Sequence, residues 1–472
     1  MGISLILLIG MILMLFKVVP ILFKPNMLNQ VLQNGELVIV TRNSATTYYV
    51  GPNGPTGFEY DLAKQFADSL GVKLRVVTND NLNDMFNMLK NGRAHFAAAG
   101  LTITEARKEH LRFTASYMEV TEQFIYNNQS YRPKNINDLN DGVLEVIDGS
   151  SHVESLNKLK KNNPELNWIT QSSIDSEQLL NLVEKQLIDY TIADSNEVAL
   201  NQRFLLELRV AFEISKPKQL AWAFPKNEDS SLYDKAMSFF WRNLNSGEIT
   251  QLTEKHYGHV DKFDYVGNRI YIRHIATRLS KYLDMYHAAA LKYNIDWRLL
   301  AAMGYQESHW NPKAVSPTGV RGIMMLTLHT AGLMGVKNRL DPQSSIQGGA
   351  KYLDQIRKRF PDNLTEPDRT WFAMAAYNVG YYHVIDAQKI AVMQGKNPNN
   401  WLDLQTTLPL LAQKKWYKKT KYGYARGWEP VKYVTNIRRY YDLLEYQLSQ
   451  DEKKNKKDND ENDAFSILPS VL

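Results

Sequence analysis

The residues best suited to chemistry lie in one segment, Asp296-Trp-Arg-Leu-Leu-Ala-Ala-Met-Gly-Tyr-Gln-Glu307-Ser-His-Trp-Asn-Pro312. Asp296 suits an N-cap and Asn311-Pro312 stops a helix, so the run between them reads as one helix. Leu300, Met303, Gly304 and Glu307 fall at i, i+3, i+4 and i+7, the spacing of an apolar stripe. A carboxylate therefore stands where the core or a cleft belongs. No Lys or Arg lies within a turn of it on either side; its neighbours are Met303, Gly304, Trp310 and Asn311. It also sits in the last turn, where the helix macrodipole is negative. Desolvation and the dipole both favour the protonated acid. An acid that keeps its proton near neutral pH is fit to donate it. The same spacing suits a Glu bonded to a buried tyrosine, or one turned out to solvent.

Two further motifs follow. In Ala314-Val-Ser-Pro-Thr-Gly319-Val-Arg-Gly322-Ile-Met-Met325-Leu-Thr327 the glycines bracket a turn where backbone can approach a ligand. Ala373-Met-Ala-Ala-Tyr377-Asn378-Val-Gly380 ends a helix with Gly380 as its cap, and presents Tyr377 and Asn378. Later, Lys414–Trp428 interleaves cations with aromatics. Aromatics suit sugar faces and cations suit carboxylates. Single-stranded nucleic acid would suit the same pattern, as would a solvated loop with packed rings. His95, His110, His152, His309 and His329 are scattered without metal-ligand spacing, so no metal is expected. Gly51–Gly57 reads as a turn-rich connection, no glycine-rich phosphate loop appears, and no cofactor is expected.

The elements that must position these residues fall into two patterns. From residue 30 to 260, short apolar runs alternate with helices. Glu36–Thr41, Lys73–Val77 and His95–Ala99 read as strands, with helices at Gly57–Leu70 and Leu82–Asn91 between them. The rhythm recurs at Val143–Ile147, a helix from Val153, Ser176–Gln186 and Tyr190–Ala193. This predicts an α/β domain of two lobes with mostly parallel sheets and a cleft between them. Residues 261–284 read as a connector. From about residue 270 onward strand signals almost vanish, and Ile270–Tyr293, Trp297–Trp310, Ile346–Arg359, Thr370–Val379 and Val431–Leu448 all carry helical spacing, predicting a mostly α domain over 285–448. Residues 449–472 are dominated by Lys, Asp, Glu and Asn up to Asp463 and read as a disordered charged tail.

Residues 3–16 carry no charge and Lys17 follows, so residues 1–24 read as an export signal or a retained membrane anchor. Either expectation exports the rest of the chain. At 472 residues, with roughly 150 per domain, about three domains or two large ones fit. With 44% hydrophobic residues there is material for real cores, and a mean hydropathy of −0.39 excludes a polytopic membrane protein. There is no cysteine, which excludes disulfides, thiolate metal sites and a thiol nucleophile. A net charge of +6 favours an anionic partner but is too weak to imply nucleic acid.

Glu307-Ser308, Gly322-Ile-Met, Ala376-Tyr377-Asn378-x-Gly380 and Tyr433, in that order, resemble the soluble lytic transglycosylase family over residues 285–445. Gly57-Phe-Glu-Tyr-Asp61-Leu, Gly100-Leu-Thr-Ile-Thr104-Glu-Ala-Arg107 and Phe113-Thr-Ala-Ser-Tyr117 resemble family 3 periplasmic solute-binding proteins. Fusion in this order is similar to the F-type membrane-bound lytic murein transglycosylases. The resemblance implies a periplasmic-binding-protein-like fold followed by a lysozyme-like one. It implies that peptidoglycan strands are the substrate, on the periplasmic side, with peripheral attachment to the outer membrane.

By the same resemblance Glu307 is the single catalytic acid and Ser308 bonds near the scissile sugar. Met325, Tyr377 and Asn378 line the site, and Tyr433 lies close to Glu307. The wider family has Gln where Met325 stands, a departure that the F-type subgroup tolerates. In the N-terminal lobes the resemblance makes Arg107 a clamp for an amino-acid or muropeptide carboxylate, Asp194 the partner of its amine, and Tyr117 a wall. Most glycosidases use two carboxylates. Asp341, Asp354, Glu366, Asp386 and Glu429 have no spacing that sets them opposite Glu307. One acid used twice predicts a lyase that leaves 1,6-anhydro-muramic ends. A lysozyme-type hydrolase and a non-catalytic wall or solute sensor are the alternatives.

Overall fold

Glu36-Leu-Val-Ile-Val-Thr41 is apolar at every interior position, as a strand covered on both faces must be. In the computed structural model it forms strand β1, with Leu37, Ile39 and Val40 fully buried. Residues 25–51, 54–139, 142–172, 174–258, 265–316 and 319–466 are described, so the 1–24 segment read as signal or anchor lies outside them. The chain divides into two units, Met1–His256 and Tyr257–Leu472.

The first unit holds two large sheets and a two-stranded one, Tyr49–Gly51 paired with Gly54–Thr56. Strands β1, β2 (Lys73–Thr78), β3 (Phe96–Thr102), β4 (Leu111–Phe113), β5 (Met118–Val120) and β11 (Lys218–Pro225) form one, in the order β2-β1-β3-β11-β4 with β5 also on β11. β6 (Glu122–Asn127), β7 (Leu144–Ile147), β8 (Ile169–Gln171), β9 (Tyr190–Asp194) and β10 (Leu208–Glu213) form the other, in the order β8-β7-β9-β6-β10. The β2-β1-β3 and β8-β7-β9 runs are parallel, with Glu36 opposite Lys73 and Tyr190 opposite Leu144. The sheets are nevertheless mixed. The chain enters the second sheet through β6 and returns to the first through β11. Both run antiparallel to their neighbours β9 and β3. Helices at Phe58–Leu70, Leu82–Lys90, Ser151–Lys160 and Ser176–Glu184 follow the parallel strands, as alternating strand and helix patterns require.

The second unit is helical: α1 (Tyr265–Thr277), α2 (Leu283–Tyr293), α3 (Trp297–Ser308), α4 (Leu328–Met334), α5 (Pro342–Arg359), α6 (Asp368–Val379), α7 (Tyr381–Met393), α8 (Trp401–Thr407), α9 (Lys414–Tyr417) and α10 (Trp428–Ser466). The helix expected over Ile270–Tyr293 is two, separated by a 3-10 turn at Leu279–Lys281 that buries Leu279. Residues 265–277, inside the stretch read as connector, are part of this unit. Tyr271 is fully buried there and its hydroxyl donates to the Tyr440 carbonyl at 2.8 Å. Helix α10 runs on to Ser466, through the stretch where composition predicts disorder. Residues 431–466 hold neither Gly nor Pro, and Lys and Glu are good helix formers. Around α3 the core is built from Tyr271, Tyr286, Trp310 and Phe372, all fully buried or nearly so.

Candidate active site

Helix α3 is held at both ends. The Asp296 carboxylate accepts the Arg298 amide at 2.8 Å, pairs with its guanidinium at 2.7 Å and accepts the Tyr441 hydroxyl at 2.8 Å. At the far end His309 and Trp310 take left-handed backbone, φ 53° and 55°, and turn the chain back so that the buried Trp310 indole donates to the Ala301 carbonyl at 2.8 Å. Glu307 occupies the last turn between these anchors.

Its carboxyl is half-buried, and Oε1 accepts the Tyr433 hydroxyl at 2.6 Å. Burial pushes the Glu307 carboxyl up to about 7, against the opposing pull of the Tyr433 hydrogen bond. No other charge contributes to that shift. Burial first, then the Glu307 charge, hold the hydroxyls of Tyr433 and Tyr377 well above the usual tyrosine range, so both remain donors. The Tyr377 hydroxyl donates to the Met324 carbonyl at 3.0 Å, and the Met324 amide donates to Ser345 Oγ at 3.2 Å. Ser308 Oγ lies 2.8 Å from the Ile323 carbonyl and 3.1 Å from that of Gly304, and accepts the Asn311 amide at 3.2 Å. Ser308 and Tyr377 thus tie the end of α3 and the end of α6 to the 322–325 turn. Met325 sits in that turn, half-buried, with φ 44°. Gly322 is obligatory there, because a Cβ on it would lie 1.8 Å from the Arg339 carbonyl oxygen. Asn378 is exposed at the end of α6.

Asp341, Asp354, Glu366, Asp386 and Glu429 are engaged elsewhere. Asp341 caps α5 through the Ser344 amide at 2.8 Å, and Asp354 pairs with Lys358 at 2.7 Å. Glu366 accepts the Thr370 amide at 3.1 Å, and Glu429 pairs with Arg426 at 2.9 Å. Asp386, fully buried, accepts the Tyr422 amide at 2.7 Å. Among the described residues none of these meets Glu307. The site is one neutral acid, two tyrosine donors and a pinned backbone turn, suited to protonating an ether oxygen and then accepting a proton back.

In the first unit, Arg107 is buried and spends its guanidinium on two carbonyls, Thr102 at 2.8 Å and Gly149 at 3.1 Å, one beside each sheet. Arg42 also spans the sheets, donating to the Ala99 carbonyl at 3.0 Å and to Glu197 at 3.0 Å. Asp194 Oδ1 lies 3.1 Å from His152 Nε2. Burial works to lower the His152 pKa, but the hydrogen bond and charge of Asp194 outweigh it and raise it overall. Tyr117, expected as a wall, packs on Phe58 and donates its hydroxyl to Glu59. Glu122, His152 and Asp194 bring ligand atoms within 4.8 Å of one another, a convergence that the scattered histidines did not reveal. The Lys218 ammonium rests there, 2.6 Å from Glu122 and 2.8 Å from Ser155.

The family model for bacterial extracellular solute-binding proteins, family 3, matches residues 37–259, and the Transglycosylase SLT domain matches 284–400. The membrane-bound lytic murein transglycosylase F 1 of Alkalilimnicola ehrlichii is 49% identical over 89% of this chain and 85% of its own. The membrane-bound lytic murein transglycosylase F of Pseudomonas fluorescens is 49% identical over 89% and 87%, and that of Stutzerimonas stutzeri 48% over the same shares. The chain belongs to the membrane-bound lytic murein transglycosylase F family. Among solved structures, the cysteine-binding protein of Campylobacter jejuni aligns with 51% of this chain and 97% of its own at TM-score 0.46 and 19% identity.

Within this family-F chain, local sequence pattern reaches Glu307 but misses the groups that hold its surroundings. Ser345 and the Met324 backbone carry no signal, since an apolar-looking turn conceals its carbonyl. Tyr286 was legible only indirectly, through Gly304. A glycine in an apolar helix stripe marks a close approach, and a Cβ there would lie 2.0 Å from the Tyr286 hydroxyl.

Proposed function

We propose that this chain is a peptidoglycan lytic transglycosylase in which Glu307 acts twice. Protonated Glu307 donates to the oxygen bridging N-acetylmuramic acid to N-acetylglucosamine. That bond breaks as the N-acetyl oxygen of the muramic sugar closes on C1. The Glu307 carboxylate then takes the proton of the C6 hydroxyl, whose oxygen attacks C1 and expels the acetamido oxygen. The product is a 1,6-anhydro end, and no water is consumed. Tyr433 steadies the carboxylate formed between the two steps. Ser308, Met325, Tyr377 and Asn378 line the strand's path, with Met325 offering thioether contact where a polar one is usual.

The observation that carries this reading is a half-buried carboxyl held up to about 7, with no carboxylate among the described residues contributing to that shift. Two-carboxylate hydrolysis requires a partner within about 5–10 Å. Mass spectrometry of digested peptidoglycan is the test. Anhydro ends that vanish in Glu307→Gln are expected. Reducing ends would replace this reading with hydrolysis, and no cleavage by the parent chain would reduce it to a wall-binding sensor.

The first unit serves as a ligand sensor, with Arg107 and Asp194 facing an amino acid or a peptide trimmed from the wall. The chain works on the periplasmic side in association with a membrane, peripheral to the outer one. Among the described residues no helix is long and apolar enough to cross a bilayer. Calorimetry with amino acids and muropeptides tests the sensor. Equal binding by the parent and Arg107→Ala would remove the arginine from it.

A further inference from the structure

Lys414-Lys-Trp-Tyr-Lys-Lys-Thr-Lys-Tyr-Gly-Tyr-Ala-Arg-Gly-Trp428 carries six cations and no acid. The whole chain carries 56 Lys and Arg against 50 Asp and Glu, so outside this segment the two signs balance at 50 each. The net charge of the protein is therefore the charge of one loop. All six cations are exposed.

The loop is built, not slack. Fully buried Asp386, on α7, accepts the Lys421 amide at 3.3 Å and the Tyr422 amide at 2.7 Å. The Ala425 amide donates to the Leu411 carbonyl at 3.1 Å. A Cβ on Gly427 would lie 1.7 Å from the Leu408 carbonyl oxygen, so the chain hugs the domain there. This framework lays Tyr422 flat on Tyr382, ring centres 4.6 Å apart at 24°. The aromatic edge stays open: Tyr382 is 49% exposed, Tyr422 37%, Tyr424 56% and Trp428 49%. Tyr382 is the second residue of α7, which follows directly on the Tyr377–Gly380 end of α6, and Trp428 begins α10, which carries Tyr433. The platform is continuous in the chain with both tyrosines of the site.

We propose that this surface binds the strand beyond the cleaved bond, with the stacked tyrosines taking sugar faces and the lysines taking the carboxylates of its stem peptides. The assignment rests on the transglycosylase reading and extends it to substrate choice: peptide-bearing strands over bare ones. Exposed rings held by a buried carboxylate suit a rigid sugar face better than a fluid headgroup layer. Lysine point charges suit dispersed carboxylates, and their pull is screened by salt.

The experiment measures binding to soluble glycan strands of equal length, either bearing stem peptides or stripped of them by an amidase with the freed lactyl carboxylates capped as amides. It uses the full chain in detergent carrying Glu307→Gln, so binding is read apart from cleavage. Lys418→Gln with Lys419→Gln and Lys421→Gln should weaken binding to peptide-bearing strands by about tenfold and reduce its salt dependence, with binding to stripped strands unchanged. Tyr382→Ala with Tyr422→Ala should weaken binding to both by several-fold. Melting temperatures equal to the parent's guard against misfolding. Equal affinity of parent and lysine variant for peptide-bearing strands would overturn the proposal. So would a loss seen only on anionic vesicles or single-stranded DNA. If Glu307→Gln still cleaved, the catalytic assignment would fall while this binding comparison stood.

Discussion

At the scale of the residue, the decisive feature is that no charge among the described residues restores the ordinary acidity of Glu307. Burial alone lifts it to about 7. The group must be protonated to start the reaction, so kcat/KM should fall on the alkaline side with an apparent pKa near 7. Stability carries the matching signature. A carboxyl whose folded pKa is raised binds its proton more tightly when folded, so its contribution declines as pH rises from about 4.5 through about 7. Glu307→Gln should remove that decline, and its melting temperature should gain on the parent's above pH 7 while matching it more nearly below pH 4.5. Tyr433→Phe removes the one interaction that lowers this pKa. The alkaline limb should move up, and the rate should fall by roughly 10- to 100-fold, the scale of a hydrogen bond to a charged group. A limb unmoved by the substitution would detach Tyr433 from the acid. Sequence placed Glu307 on an apolar face unaided. Tyr433 lies 126 positions away on another helix, and no periodicity links them; only the motif order of the family brought it into view.

At the scale of the element, α3 depends on its missing side chain. Gly304→Ala drives a methyl into the Tyr286 hydroxyl, and overpacking of this kind costs about 1–3 kcal/mol. That hydroxyl is buried and has no hydrogen-bond partner among the described residues. Tyr286→Phe should therefore be neutral or stabilising, and should recover part of the Gly304→Ala loss in the double variant. Thermal unfolding of the three proteins checks the cycle; no recovery would mean the clash is relieved elsewhere. The elements legible in sequence were those with one physical signal. β1 is apolar throughout, and Leu82–Lys90 is amphipathic with Asn81 as its cap. The strands β6 and β11 escaped, because their direction is set by passage between the sheets and not by residue pattern. The break at Leu279–Lys281 escaped because Leu279 keeps the apolar spacing across it.

At the scale of the whole molecule, the two units differ in where they keep their polar interactions. The first unit buries ion pairs between its sheets. Arg42 is the principal one: burial works to lower its pKa, yet Glu197 and Asp194 raise it overall. Arg42→Ala leaves Glu197 buried without its partner, and such losses cost about 3–5 kcal/mol. Hydrogen exchange should show protection falling in β1 and β9 together, and protection unchanged in both would mean the pair is dispensable. The convergence of Glu122, His152, Asp194 and Lys218 was invisible in sequence because it joins positions from 122 to 218 on different elements. The second unit sets six cations on the loop before α10 and also buries Asp354, Asp386 and Arg438.

The twice-used acid Glu307 has a consequence for bookkeeping of hydrogen ions. A donor that recovers in the second half-reaction what it lent in the first leaves no trace in the medium. Digestion followed in weakly buffered solution with a glass electrode should therefore register no drift, however many bonds are cut.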